Sequence, residues 1–156
     1  MSALAAGTLQ EYRCRVQPEW IDYNGHMSEA FYVLVFGYAT DQVMEQLGLD
    51  DEYRRSSGCS LYTVEAHIRY LAETGVDAEL SVVSRIVGAG AKKLHLAHEM
   101  RSGETLIATE ELLALHVDQQ SGRSTAFTPS VMDTITGFLP AQGEPAPEWT
   151  GRKVSS

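Results

Sequence analysis

Positive charge is scarce in this sequence. Twelve Lys and Arg stand against 21 Asp and Glu, a formal net charge of −9 over 156 residues. Nucleic acids and anionic membranes are gripped through a net basic face, so this balance excludes both as partners. It still leaves room for a small basic patch holding one anionic ligand. Cysteine is scarce as well. Cys14 and Cys59 are the only two, far apart and in neither metal-ligand nor redox spacing. Both fall in strand-like segments and read as buried thiols, which fits a cytoplasmic compartment. Long hydrophobic runs are missing: the longest nearly apolar stretch, residues 30–39, is too short to cross a bilayer. Residues 1–8 have neither the basic region nor the apolar core of a signal peptide. The sequence also lacks a Gly-rich phosphate loop, a G-x-S-x-G elbow and a Cys/His pair for nucleophilic catalysis. His95, His98 and His116 lack metal-ligand spacing and read as core or surface histidines. Neither a metal nor a cofactor is expected.

What is present suits one folded domain. The hydrophobic fraction is 44% and the charged fraction 21%, and a chain of this length buries roughly 70% of its extended surface on folding. Three of the five prolines, Pro140, Pro145 and Pro147, crowd the last stretch with Gly143 and Gly151. The domain is therefore expected over residues 9–139, with residues 140–156 a loosely ordered tail.

Periodicity orders the elements. Residues 9–17 alternate, with Tyr12, Cys14 and Val16 on one side, and read as a half-buried strand stopped by Pro18. A polar turn, Asp22 to His26, leads to Ser28, a candidate N-cap for a helix running to about Leu47 and closed by Gly48. The first half of that helix is apolar on every face, which predicts an enclosed helix. Its polarity returns at Thr40, so the far end is expected to emerge into solvent. Gly37 costs about 1 kcal/mol in mid-helix relative to Ala, which points to a close neighbouring backbone. A charged connector, residues 50–58, follows. Four strands are then expected, over residues 59–71, 77–87, 92–101 and 105–117, in a meander. In the first of them Tyr62, Val64, Ala66, Ile68 and Tyr70 alternate against Thr63, Glu65, His67 and Arg69. A short helix after Pro129 has Ser130 as its candidate cap and Asp133 in capping-box position. One long helix wrapped by a curved, five-stranded antiparallel sheet is the simplest way to bury these faces, an α+β fold.

The strand, the D-x-x-G-H turn, the buried helix and the strand series resemble the hotdog-fold acyl-CoA thioesterases of the 4-hydroxybenzoyl-CoA thioesterase type over residues 9–139. A closer resemblance lies in Trp20-Ile21-Asp22-Tyr23-Asn24-Gly25-His26-Met27, Tyr62-Thr63-Val64-Glu65-Ala66-His67-Ile68-Arg69, Leu94-His95-Leu96 and Leu115-His116-Val117-Asp118. These are similar to the thioesterase segment fused to some carnitine dehydrogenases, a segment associated with betainyl-CoA hydrolysis. The resemblance implies an acyl-CoA thioesterase whose site lies at a subunit interface, hence a homodimer or a dimer of dimers. It places Asp22 where the family has its catalytic carboxylate.

The chemistry is consistent with that placement. A thioester carbonyl needs an attacking oxygen on one side and donors at its own oxygen. A carboxylate supplies the first by direct attack or by deprotonating water. The backbone N–H groups of the first helical turn, those of Ser28 and Glu29 among them, supply the second. Taken without the resemblance, Asp22 reads as a turn residue bonding its own backbone. His26 and Asn24 complete the candidate catalytic set, His26 as a proton donor to the leaving thiolate or an orienter of Asp22, with turn-fixing the alternative for both. Tyr23 and Asn24 stand where the benzoyl-type enzymes carry small apolar residues, a departure that argues against an aromatic acyl group. Trp20, Tyr23 and Glu65 form the candidate pocket for a cationic acyl group, and His67 shares the Glu65 face, which otherwise reads as solvated. Lys92 and Lys93 are candidates for the CoA phosphates, or a solvated pair at a strand start. The rival readings are a non-catalytic acyl-CoA or small-acid binding module and a thioesterase for another short acyl group.

Overall fold

The computed structural model describes residues 7–154. Residues 1–6 and 155–156 lie outside it, and with them most of the segment expected not to be a signal peptide and the last two residues of the expected tail. Strand β1 (Tyr12–Arg15) and a single 3₁₀ turn (Pro18–Trp20) precede the long helix α1 (Glu29–Gln46). Helix α2 (Asp51–Ser57) leads into β2 (Cys59–Tyr70), β3 (Glu79–Ala89), β4 (Lys93–Ser102) and β5 (Thr105–Asp118). A two-residue strand, β6 (Arg123–Ser124), and helix α3 (Pro129–Thr136) follow. This is the expected hotdog architecture, with α1 against one face of an antiparallel sheet.

The strand order is β1-β3-β4-β5-β2, with β6 added beside β5. The expected meander is therefore corrected in one place: β2 pairs with β5, not with its sequence neighbour β3. The connection between them, residues 71–78, crosses to the far side of the sheet. It is tied down on the way, with Met27 N–H bonded to the Thr74 carbonyl and Val16 N–H to that of Ala78.

Directly paired residues of antiparallel strands share a face. The inner face carries Leu80, Val82 and Ile86 of β3, Leu94, Leu96 and Met100 of β4, and Ala108, Leu112 and Ala114 of β5, all buried. On β2 the simple alternation fails. An extra residue, Val64, shifts the register between Thr63 and Glu65. Such a bulge sets two residues against one and reverses the facing beyond it. Tyr62 opposite Leu115 thus shares the outer face with Glu65 opposite Leu113, instead of facing away from it.

Helix α1 is not enclosed. Val35, Phe36, Ala39 and Val43 are buried, but Val33, Leu34 and Tyr38 are exposed, because a single chain supplies a sheet on one side only. Gly37 meets no neighbouring backbone: a Cβ there would touch nothing within 4 Å. Thr40, expected near solvent, is buried. Its hydroxyl donates to the Phe36 carbonyl (3.0 Å) and faces His98 Nε2 (2.9 Å). The residues read as a charged connector form α2 because Asp50 accepts the Tyr53 N–H (2.9 Å) and Gly58, at φ 70°, closes its end. Pro129 occupies the first turn of α3, so the cap position is Thr128, not Ser130, and no side chain bonds there. Cys14 and Cys59 are half-buried, since β1 is an edge strand and Cys59 begins its own. After α3 the chain forms turns without helix or strand. Trp149 Nε1 donates to Glu99 (3.2 Å) and Gly151 N–H to Glu111 (2.6 Å), which lays residues 149–151 on the outer face of β4 and β5.

Candidate active site

The turn before α1 is built by its own polar groups. Asp22 N–H donates to the His26 carbonyl (2.9 Å), and Gly25 N–H returns to the Asp22 carbonyl (3.0 Å) with Gly25 at φ 80°. The Asp22 carboxylate accepts the Asn24 N–H through Oδ1 (2.8 Å). One oxygen is thus held as in an Asx turn, which fixes the side chain and leaves the second oxygen for chemistry. Asn24 contributes to the turn through its backbone. His26 Nε2 lies 3.1 Å from Glu73, half exposed, so this imidazole is oriented by a carboxylate from the β2–β3 connection.

The first turn of α1 supplies donors, with one correction. Ser28 N–H already donates to the Trp20 carbonyl (2.9 Å) and Met27 N–H to the Thr74 carbonyl (2.9 Å), so neither faces an outside acceptor. Phe31 N–H turns back to the Ser28 carbonyl (3.0 Å). Glu29 and Ala30 keep the unpaired N–H groups that every helix start leaves over. Trp20 stacks on Phe31 at 5.6 Å between ring centroids, which pins the 3₁₀ turn against the helix.

Beside this turn lie Tyr32 and Glu110, which the sequence reading did not single out, together with Tyr70 and His98, which it did not assign to the site. Tyr32 of α1 bonds the Ala72 carbonyl (3.1 Å) and meets Tyr70 of β2 edge-on at 5.3 Å. Burial, and after it the charge of Glu73, holds the Tyr32 hydroxyl above its ordinary range. Burial does the same for Tyr70, followed by Glu29 and Glu110. Glu110 lies on the inner face of β5, opposite Ile68 on one side and His98 on the other. It is only 5% exposed, and burial pushes its carboxyl up to about 7. His98 is fully buried and stacked on Phe36, and burial alone lowers it to about 4. Since the Thr40 proton is directed to Phe36, Thr40 accepts from His98 Nε2–H, and His98 Nδ1 accepts from Ser84 (2.7 Å). This is a neutral, fully bonded core histidine. His116 is also buried with both ring nitrogens bonded, between Tyr53 (2.7 Å) and the Thr125 carbonyl (2.8 Å).

The other candidates are dispersed. Tyr23, 97% exposed, points away from the fold. Glu65 and His67 lie on the outer face of β2, beside His95, Glu111 and the Gly151–Arg152 end of the chain. Within one chain, Trp20, Tyr23 and Glu65 therefore do not form one pocket. Lys93 pairs with Leu115, whereas the turn end of the sheet is marked by Met100 opposite Ala108. Those levels are about 23 Å apart along β5 at the usual strand rise, so Lys92 and Lys93 stand at the far end from Asp22.

The helix-on-curved-sheet fold has counterparts in known proteins. Residues 16–135 match the model of the thioesterase-like superfamily, and the chain belongs to that family. It is a thioester hydrolase on the hotdog fold. A betainyl-CoA thioesterase of Pseudomonas aeruginosa is 40% identical over 150 residues, covering 94% of both chains. An L-carnitine dehydrogenase/betainyl-CoA thioesterase of Agrobacterium fabrum is 41% identical over 148 residues; these span 94% of this chain but 30% of that longer one. Among solved structures, a Staphylococcus aureus protein in complex with CoA superposes with a TM-score of 0.88 at 27% identity, covering 100% of this chain and 99% of that one. A putative thioesterase of Pseudomonas putida KT2440 gives 0.78 at 35% identity, over 99% of both chains.

Proposed function

We propose that this enzyme hydrolyses betainyl-CoA to glycine betaine and CoA, with Asp22 as its nucleophile or general base. The observation that carries the catalytic assignment is the fixed Asp22 carboxylate in the turn that leads into the open Glu29 and Ala30 N–H groups. The 40% identity to a betainyl-CoA thioesterase supports the choice of acyl group. As nucleophile, Asp22 attacks the thioester carbon, the C–S bond breaks, and the thiolate leaves with a proton from His26 or water. Water then opens the mixed anhydride, releasing betaine and restoring the carboxylate. As general base, Asp22 takes the proton of the attacking water instead. In either route the helix-start N–H groups receive the negative charge that develops on the carbonyl oxygen.

Three further assignments belong to the same reading. The catalytic unit is residues 9–139, with residues 140–156 appended to it. The enzyme acts in the cytoplasm, where acyl-CoA thioesters occur; no helix among the described residues is long and apolar enough to cross a membrane. It works as a homodimer or a dimer of dimers. Among the described residues β2 pairs only with β5, which leaves one side of a 12-residue strand open to a second copy. The test of function is CoA release, followed with a thiol-trapping dye, from betainyl-CoA and from its uncharged isostere 3,3-dimethylbutanoyl-CoA. A kcat/KM at least about tenfold higher for betainyl-CoA is expected, the scale of one to two cation-recognising contacts. Equal values would remove the betainyl assignment and leave the thioesterase.

A further inference from the structure

Helix α1 packs mainly on β3, β1 and β4 and meets β2 near its own start, through Tyr32 against Tyr70 and through Ile68. The inner face of β2 is uncovered in part: Thr63, Ala66 and Tyr70 face the helix side yet are exposed, while Leu61 is buried and Ile68 packs into the core. On α1 the residues spaced to face them, Glu29, Val33 and Gly37, are exposed too, and the space beside Gly37 is open. A cleft therefore runs between α1 and β2. At the start of α1 it is bounded by the Tyr32–Tyr70 contact, next to Glu73 and the His26 turn. Its floor is β5, where Glu110 stands opposite Ile68.

Glu110 is a carboxylate without a hydrogen-bond partner among the described residues. The nearest ionisable nitrogen is His98 Nε2, 4.0 Å away, and that N–H is already given to Thr40. The groups facing Glu110 are His98 from β4 and Tyr70 from β2, with Glu29 of α1 beyond Tyr70. No lysine or arginine among the described residues pairs with it. Leaving a buried carboxylate unpaired is costly, and nothing in the packing requires an acid at that position.

We propose that Glu110 is the counter-charge for the cationic head of the acyl group, the residue that lets the α1–β2 cleft select a quaternary ammonium. This rests on the betainyl reading above and replaces Glu65, on the outer face of the sheet, as the selecting acid. A quaternary ammonium has no hydrogen to donate. It is recognised through charge and aromatic faces, which a carboxylate without fixed donors and a tyrosine pair provide. Glu110 itself is 5% exposed and poorly solvated, so its attraction acts over several ångströms and needs no direct hydrogen bond. Burial raises the Glu110 carboxyl to about 7, so around and below neutral pH an entering cation displaces a proton from it.

The test compares wild type, Glu110→Gln and Glu65→Gln on betainyl-CoA and 3,3-dimethylbutanoyl-CoA. Glu110→Gln is expected to lower kcat/KM for betainyl-CoA about 30-fold while leaving the neutral thioester within about threefold. Glu65→Gln keeps the wild-type ratio. A preference retained in Glu110→Gln overturns the assignment to Glu110 alone, as does an equal loss on both substrates. A wild type with no charge preference overturns both this assignment and the betainyl reading. Independently of that variant's folding, calorimetric titration of wild type with glycine betaine near pH 6, in two buffers of different ionisation heat, is expected to show protons released on binding. Binding without proton release contradicts the proposal.

Discussion

Replacing Glu110 by glutamine also tests the electrostatics of the fold, without any substrate. The Glu110 carboxyl is raised from an ordinary 4.5 to about 7 by burial, a difference corresponding to about 3 kcal/mol. The sign follows from where the proton sits. Between pH 4.5 and 7 the folded protein holds this proton and the unfolded chain has released it, so stability falls as pH rises and the loss is complete above 7. His98 works in the opposite direction. Lowered to about 4 by burial, it stays neutral in the fold, while the unfolded chain takes up a proton below 6.5. It therefore makes stability rise with pH between 4 and 6.5. In wild type the two slopes nearly cancel over their shared range; in Glu110→Gln only the His98 slope remains. Urea unfolding of both proteins at pH 5 and pH 8.5, at one protein concentration, isolates the Glu110 contribution. The gap between variant and wild type is expected to widen by about 3 kcal/mol in favour of the variant at pH 8.5, or roughly 6–12 °C in Tm. Parallel pH profiles for the two proteins would refute the claim that this carboxylate is buried without a partner.

Thr40→Val leaves the buried His98 N–H without an acceptor and is expected to cost about 1–3 kcal/mol in urea unfolding; a change below about 0.5 kcal/mol would contradict the bonded arrangement. Gly58→Ala meets no steric neighbour but must hold a φ of 70°, so a loss of about 1 kcal/mol is expected from backbone conformation alone. Val64→Asp puts a charge on the open β2 edge at an exposed position. Light scattering at micromolar concentration is expected to give a dimer or larger for wild type and a shift to monomer for the variant, and a monomeric wild type would remove the dimer proposal.

Alternation and turn chemistry made most of the architecture legible. The expected strands over residues 92–101 and 105–117 match β4 and β5 within a residue at each end, because both are regular and covered on one face. Three features escaped for physical reasons. The pairing of β2 with β5 is a non-local choice that no local pattern encodes. The Val64 bulge reverses facing without changing composition, so Tyr62 was assigned to the wrong side. The exposed stripe of α1 looked like core because an apolar helix face reads alike whether its own sheet or something else covers it. Asp22 became a candidate through the resemblance; its turn alone reads as a residue bonding nearby backbone, which its carboxylate also does. Glu110 had a signal that went unread: it falls in phase with Ala108, Leu112 and Ala114, a lone acid on an otherwise apolar strand face. The pull of the exposed Glu65 and its aromatic neighbours hid it, since burial cannot be seen in the sequence.

The central claim is that the Asp22 carboxylate performs the hydrolysis, and Asp22→Asn tests it most directly. Asparagine keeps the shape and the bond from Asn24 N–H to its side-chain oxygen, so the turn is preserved and only the charge is lost. Steady-state CoA release from betainyl-CoA is expected to show a kcat at least about 100-fold below wild type, with an unchanged far-UV spectrum and unfolding midpoint. A kcat within about twofold of wild type would contradict the account.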